Sequence, residues 1–386
     1  MTNPQIEIQL IAAVVAMACA IPGVFLVLRK MALISDAISH SILPGIVIGF
    51  FITQDLNSPL LILLAAFTGV ITVVLVEYLQ KTGLVKEDTA IGLVFPMLFS
   101  IGVILIAKNA SDVHLDIDAV LLGELAFAPF DRVEIGGTDM GPKSLWVMGS
   151  ILITIIMLLL LFFKELKVST FDAGLAASMG ISPVLMHYGL MSVSSITIVG
   201  AFDAVGAILV IALMIAPAAA AYLLTTDLKR MIGLSMFFGV LSAIAGYWFA
   251  HWLDASIAGS IATTLGLIFL LIYLFAPKKG LISVLYRQER QKIEVSLITF
   301  LIHLSRHEEE SERHINHLQE HIDWHEVRAK KVLDLALKNN LIDIDNDIIT
   351  LTEKGSLFTE KSLEYIFENR DEKIESMKEN FFLFRG

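Results

Sequence analysis

The chain has 386 residues, of which 56% are hydrophobic and only 17% are charged, with a formal net charge of −11. Because soluble domains carry roughly 25% charged residues, this composition excludes an ordinary soluble protein and favours a membrane protein. Residues 1–286 hold 13 basic and 18 acidic side chains, and the last hundred residues hold the remaining 15 and 21. We therefore predict two domains, a transmembrane domain over residues 1–280 and a cytoplasmic domain over residues 281–386.

Nine apolar stretches are long enough to cross a bilayer as helices. They cover residues 6–28, 31–53, 59–79, 89–107, 144–163, 183–202, 204–224, 231–250 and 256–276. The pair around Asp203 can be interpreted as two spans or as one broken element. The first domain is therefore predicted to be an all-α polytopic membrane domain of about nine transmembrane helices.

The basic residues of the connecting loops predict the orientation of these spans. Alternate loops on one side carry ten Lys and Arg residues, whereas the opposite loops carry three, all within or beside residues 108–143. Lys and Arg are enriched in cytoplasmic loops. We therefore expect a multi-pass protein of the cell (inner) membrane, with the N-terminus outside and the C-terminal domain in the cytoplasm.

Two ionisable residues, Asp36 and His40, stand inside the second apolar stretch. Their i, i+4 spacing places both side chains on one helix face. Counting about 1.5 Å per residue from Arg29 puts His40 ~15 Å deep, near the midplane of a ~30 Å hydrocarbon layer. Ionisable groups at that depth mark substrate paths, and a carboxylate with an imidazole suits a first-row divalent metal. We interpret the pair as a transit site; the alternative is hydrogen bonding to neighbouring helices.

The long loop predicted to lie outside the cell carries an alternating acidic strip. If the strip is extended, one face presents Asp112, His114, Asp116 and Asp118. Such a face could concentrate divalent cations at the entrance of a path or dock a partner electrostatically, whereas the simpler alternative is a solvated loop. Asp203, near the outer end of its span, is a candidate gate residue. Glu77 and His251 lie near span ends, where snorkelling accounts for them.

The C-terminal domain shows a different pattern, with amphipathic helices predicted over residues 294–305, 309–321 and 325–339. A β-hairpin follows over residues 341–351, with a turn at Asp345-Asn346, and then a final helix. This order predicts an α+β winged-helix-like cytoplasmic domain, and the segment after the hairpin resembles that of metal-dependent repressors.

Two functions compete for this domain. Basic residues on its third helix could contact phosphates, namely Arg328, Lys330, Lys331 and Lys338. The domain is nevertheless net acidic and tethered at a membrane, which disfavours nucleic-acid binding and favours a regulatory or dimerising module. A histidine-rich stretch that includes His314, His317 and His321 raises the hypothesis of cytosolic metal sensing. Solvated helix histidines are the alternative.

Three motifs of the membrane domain resemble one known family. They are residues 25–45, which include Asp36 and His40, the glycine-to-proline run within residues 205–221, and residues 171–180. The motifs resemble those of permease subunits of ATP-binding-cassette (ABC) metal importers, the zinc/manganese/iron group. The resemblance covers roughly residues 6–276, and the amino-acid sequence of the long outside loop is most similar to that of the manganese branch.

The resemblance implies a homodimeric permease that works with an ABC ATPase subunit and an extracytoplasmic metal-binding protein. Asp36 and His40 align with the family's metal-contacting positions, and the cytoplasmic segment that couples to the ATPase would include Phe171, Asp172, Ala176 and Gly180. No Gly-x-x-x-x-Gly-Lys-Ser/Thr phosphate loop occurs in the chain, so we expect a transport subunit that is not itself an ATPase.

The function expected is import of a divalent transition metal, with Mn²⁺ favoured over Zn²⁺ and Fe²⁺ and with no permanently bound cofactor. One alternative is a secondary metal transporter driven by an ion gradient. It needs intramembrane carboxylates for a proton relay, and Asp36 is nearly alone in that role. A second alternative is a membrane-anchored, metal-responsive regulator.

Overall fold

The computed structural model describes residues 4–54, 58–109, 125–135, 138–306, 313, 326–345 and 347–368. The chain forms two compact units, Met1–Ala276 and Pro277–Gly386. The described helices of the first unit are α1 (Pro4–Leu28), α2 (Leu33–Ser41), α3 (Leu43–Thr53), α4 (Pro59–Lys81), α5 (Glu87–Asn109), α6 (Lys143–Leu161), α7 (Phe163–Phe171), α8 (Ala173–Ser178), α9 (Pro183–Val205), α10 (Ala207–Leu224), α11 (Leu228–Leu253) and α12 (Ile257–Phe275). Between α5 and α6, strands β1 (Arg132–Ile135) and β2 (Thr138–Pro142) pair antiparallel.

Nine helical segments of the described chain are long and apolar enough to cross a membrane, which confirms the prediction of about nine spans. The pair left open around Asp203 consists of two helices. Helix α9 ends at Val205 and α10 begins at Ala207, with Gly206 between them at φ +77°. Glycine adopts this backbone conformation without steric cost, so the glycine of the predicted motif marks a true break.

The second span, predicted over residues 31–53, consists of two helices. Helix α2 ends at Ser41 and α3 begins at Leu43, and the two together make up the span Leu33–Thr53. Pro44 has no backbone N–H, so it cannot donate the helical hydrogen bond to the carbonyl of His40. The break therefore falls at Ile42, two residues after His40.

Small side chains allow the helices of the first unit to approach closely. Helix α1 packs against α10 and α11, which also pack against α12; helices α2 to α5 form a second group that contacts α9 through α4. Ala16 of α1 lies against Gly239 of α11, and Gly23 lies against the backbone of Met214 in α10. Such small residues are typical of helix contacts inside membranes, because apolar burial alone does not drive helices together there.

A substitution at Gly23 tests this packing. A Cβ at Gly23 would overlap the carbonyl group of Met214, so Gly23→Ala must push α1 and α10 apart. We expect a loss of stability of about 1–3 kcal/mol, measured as a lower thermal unfolding midpoint in detergent. Gly149→Ala is the matched control, since a Cβ there meets no atom within 4 Å. Equal midpoints for the two variants would contradict the close contact.

The second unit contains α13 (Leu281–Arg306), α14 (Glu326–Lys338), β3 (Ile342–Asp345), β4 (Ile348–Leu351) and α15 (Glu353–Glu368). Its core joins Leu297, Phe300 and Leu301 of α13 with Val332 of α14 and Ile349 of β4. The hairpin pairs Ile342 with Leu351 and Asp345 with Ile348.

The predicted start of the first cytoplasmic helix at residue 294 was wrong, because α13 begins at Leu281. Residues 287–292 of this helix are all polar and offer no hydrophobic periodicity, but local ion pairs such as Arg290 with Glu294 at 3.2 Å support a helix there. The predicted helix over residues 309–321 lies outside the described residues apart from Arg313. The described order of two helices, a hairpin and a helix is compatible with a winged-helix domain, which remains an interpretation.

Candidate metal path and coupling segment

Helix α1 runs between two opposite ends of the membrane unit. In its first turns Glu7 contacts Arg132 of the β1–β2 hairpin, and just after its last turn Arg29 contacts Thr170 at the end of α7. A helix of 25 residues spans about 37 Å, so these contacts mark opposite faces of the bundle. We call them the hairpin end, which carries residues 132–142, and the coupling end, which carries residues 163–182.

Asp36 and His40 lie one turn apart on α2, with 3.4 Å between Asp36 Oδ1 and His40 Nε2. The opposite face of α2 is buried and holds Ile34, Ala37 and Ile38. The Asp36 and His40 side chains remain 42% and 33% exposed, respectively. The pair is thus open to an incoming ion, and it presents an oxygen and a nitrogen donor on one face.

Helix α2 is held in place by polar contacts as well as by packing. The hydroxyl groups of Ser41 and Thr72 are 2.6 Å apart and join the end of α2 to α4. The His40 ring lies 5.7 Å from the Phe95 ring of α5, measured between centroids. Together with the break before Leu43, these contacts fix the height and direction of the imidazole.

A cavity of about 880 Å³ connects His40 with the hairpin end. Its walls are mostly apolar and come from α2 to α6 and α9, and Asp203 of α9 also lines it. At its outer part lie Asp131 and Lys143, whose charged groups are 3.7 Å apart. The cavity therefore offers a cation a route to the imidazole that passes two carboxylates, Asp131 and Asp203. Asp36 lies one helical turn from His40 on α2.

Several residues proposed from the sequence cannot be placed. The acidic strip Asp112, His114, Asp116 and Asp118, and the histidines His314, His317 and His321, lie outside the described residues. Among the residues that are described, no group of three or more His, Cys, Asp or Glu side chains could hold a metal ion. In one copy of the described chain, Asp36 and His40 therefore offer a two-ligand site.

The predicted coupling segment is exposed, but it is not one helix. Phe171 ends α7, and Asp172 is extended at φ −149° before α8 begins. The carboxylate of Asp172 caps α8 by accepting a hydrogen bond of 2.9 Å from the N–H of Leu175. Phe171, Leu175 and Met179 are all exposed, Ala176 is buried, and Gly180 leaves the helix at φ +80°. The spacing of Phe171, Leu175 and Met179 in the sequence is that of one face of a single helix, but Asp172 separates Phe171 from the other two.

A polar network at the coupling end was missed by sequence reasoning, which used Arg29 only as a topological marker. The Arg29 guanidinium donates to the hydroxyls of Thr170 and Ser169 at 3.2 Å and faces His187 Nδ1 at 3.4 Å. Burial lowers the pKa of Arg29 from its ordinary value, although a guanidinium remains charged in proteins. This arginine is therefore a half-buried charge satisfied by α7 and α9.

The network continues from His187 to α4. The other ring nitrogen of His187, Nε2, faces a carboxylate oxygen of Glu77, and Tyr188 donates to the second oxygen at 2.9 Å. The Glu77 side chain is only 15% exposed, so the prediction that it snorkels was wrong. Arginine only donates hydrogen bonds, so in this contact Nδ1 of His187 can only be the acceptor.

An ionic cluster at the hairpin end was also missed. Arg132 binds the buried carboxylate of Glu7 at 3.0 Å and that of Asp139 at 2.7 Å. The hydrogen bond from Arg132 lowers the pKa of Asp139, and its bonds to Asp139 and Glu7 raise the pKa of Arg132 further. The cluster anchors the β1–β2 hairpin to α1 beside the mouth of the cavity.

The chain is similar to proteins with known roles in metal transport. It is 47% identical over 353 residues to the zinc transport system membrane protein TroD of Treponema pallidum (strain Nichols), covering 90% of this chain and 96% of TroD. It is 45% identical over 269 residues to the manganese transport system membrane protein MntD of Bacillus subtilis (strain 168), covering 70% and 91%.

A solved structure shares the fold of the membrane unit. The structure of PsaBC from Streptococcus pneumoniae in complex with Fab matches with a TM-score of 0.61 and 30% identity, covering 72% of this chain and 94% of that chain. Residues 5–276 match the profile of the ABC 3 transport family. These matches confirm the family predicted from the three motifs: the chain belongs to the ABC 3 transport family.

Proposed function

We propose that this chain is the permease subunit of an ABC importer that carries a divalent transition metal into the cytoplasm. The observation that supports this most directly is the cavity that leads from the hairpin end to His40, with Asp36 on the same helix face. Family membership supports the same function. The hairpin end would face outside and receive the metal from an extracytoplasmic binding protein. The coupling end would face the cytoplasm and bind a separate ABC ATPase subunit.

The metal proposed first is Mn²⁺, with Zn²⁺ and Fe²⁺ as the other candidates. A carboxylate with an imidazole accepts all three ions, whereas the absence of a thiolate from the pair disfavours Cu⁺. Two ligands hold an ion weakly, which suits transit rather than storage. In a homodimer related by a two-fold axis, the open faces of two α2 helices could supply four ligands. TroD is named for zinc and MntD for manganese, so both metals belong in the test.

For the C-terminal unit we propose a regulatory or dimerising role within the transporter. The match to TroD runs over 353 residues, more than the 276 residues of the membrane unit, so it extends into this second unit. Metal sensing by the histidine-rich stretch remains a hypothesis.

Uptake by the complete transporter tests the proposed function. The chain is reconstituted in vesicles with an ABC ATPase subunit and an extracytoplasmic metal-binding protein, and uptake of radioactive Mn²⁺ and Zn²⁺ is measured. We expect uptake that requires both partners and ATP hydrolysis and that persists when a proton ionophore collapses the proton gradient. Uptake by the chain alone that the ionophore abolishes would instead show a secondary transporter.

A further inference from the structure

The polar network around Arg29 joins the coupling segment to the helix that carries Asp36 and His40. Ser169 and Thr170 lie in the last turn of α7, and only Phe171 separates them from Asp172, the capping residue of α8. Three of the hydrogen bonds of Arg29 go to these two hydroxyls. The coupling segment is thus attached to the residue that directly follows α1.

The short connection from Arg29 to α2 is fixed by backbone hydrogen bonds. Lys30 adopts a left-handed conformation at φ +61°, and the N–H groups of Lys30 and Met31 bond to the carbonyls of Val27 and Leu26 at 3.1 and 2.9 Å. This is the Schellman closure of a helix, which fixes the direction of the following residues. The N–H of Ile34 then bonds to the carbonyl of Met31 at 3.2 Å, at the start of α2. We therefore expect a displacement of Arg29 to displace the start of α2 as well.

The same guanidinium also links two helices that line the cavity. Through His187 at the start of α9 and Glu77 near the end of α4, its charge is joined to a buried carboxylate. A half-buried charge is costly to leave without partners, so the network resists separation of its members. When the coupling segment moves, Arg29 must either follow it or lose several hydrogen bonds at once.

We propose that Arg29 is the positioning residue that transmits movement of the coupling segment to α2, α4 and α9, and thereby to the metal path. This inference rests on the proposed function, in which an ATPase subunit binds residues 171–180. Arg29 itself does not touch the metal. Its role is to make ATP hydrolysis productive, so its loss should uncouple hydrolysis from transport.

The test measures Mn²⁺ uptake and ATP hydrolysis on the same vesicles that contain the complete transporter. We expect Arg29→Gln to hydrolyse ATP within about twofold of wild type while the Mn²⁺ transported per ATP falls about tenfold, a typical size for coupling between sites. Lys86→Gln, which removes an exposed charge from the loop between α4 and α5, is the matched control and should keep the wild-type ratio. A merely structural role would lower uptake and hydrolysis in parallel.

If the Arg29→Gln variant does not assemble into the complete transporter, Thr170→Val provides a second test of the role of Arg29. Valine keeps the shape of threonine and removes only the hydroxyl that accepts from Nε and Nη2 of Arg29. We expect the transport ratio to fall about threefold, the effect of losing a modest hydrogen bond. Thr154→Val, at an exposed hydroxyl of α6, is its control. An unchanged ratio in Thr170→Val or Arg29→Gln would overturn the inference, whereas wild-type vesicles without ATP-dependent uptake would overturn the proposed function and the inference together.

Discussion

His40→Ala and Asp36→Ala are each expected to abolish metal uptake by the complete transporter. Each variant leaves one ligand where there were two, and among the described residues no group of three or more His, Cys, Asp or Glu side chains offers another metal site. Loss of a residue that only orients a metal ligand typically costs about 10–100-fold in metal affinity, so loss of a direct ligand should cost at least about 100-fold. The measurement is initial uptake of Mn²⁺ and Zn²⁺ at equal amounts of membrane-inserted protein.

Conservative variants separate chemistry from packing at this pair. Asp36→Asn keeps the shape of the side chain but removes its charge, so it should fail almost as completely as Asp36→Ala. His40→Asp replaces nitrogen by a hard oxygen donor and should retain more Mn²⁺ uptake than Zn²⁺ uptake. His251→Ala, at an exposed histidine of α11, is the matched control and should transport normally. Normal uptake by both alanine variants at the pair would show that Asp36 and His40 have a structural role.

The spans of this protein could be predicted from sequence because hydropathy in a membrane is a local signal. Every span predicted from its apolar run has a helical counterpart, and the Asp36–His40 spacing is enough to place both side chains on one face. Near the break after Ser41 the apolar pattern is continuous. Only Pro44 hinted at a missing hydrogen bond, and proline alone does not distinguish a kink from two separate helices.

The two ionic networks could not be predicted, because their members are far apart in the chain. Arg29 meets Thr170 across 141 positions, and Arg132 meets Glu7 across 125. Loop arginines are expected in any membrane protein, and the positive-inside rule already explained Arg29 without a partner. The pairings depend on how α1 crosses the bundle, which is information carried by packing rather than by spacing. The available signal was a charged residue at the end of a span together with small hydroxyl residues, Ser169 and Thr170, in a polar segment far along the chain.

The second large effect is expected from a substitution in the coupling segment, residues 171–180. Phe171, Leu175 and Met179 expose apolar side chains on a short segment outside the spans. Exposed apolar side chains in a loop are costly unless a partner covers them, and such residues often dominate binding energy at protein interfaces. Leu175→Glu places a charge at the middle of this surface. We expect the ATPase subunit to bind at least about 30-fold more weakly, the loss typical of a central interface residue.

Co-purification of a tagged ATPase subunit with the permease measures this loss. Leu84→Glu is the matched control, because Leu84 is even more exposed but lies in the loop between α4 and α5. If both variants retain the ATPase subunit, the apolar segment is not its docking surface; if both lose it, the surface is wider than residues 171–180.

The helix cap that Asp172 provides for α8 leads to a further prediction. Asp172→Ala removes the hydrogen bond to Leu175, so it should weaken docking by loosening α8, whereas Asp172→Asn, which can still cap, should not.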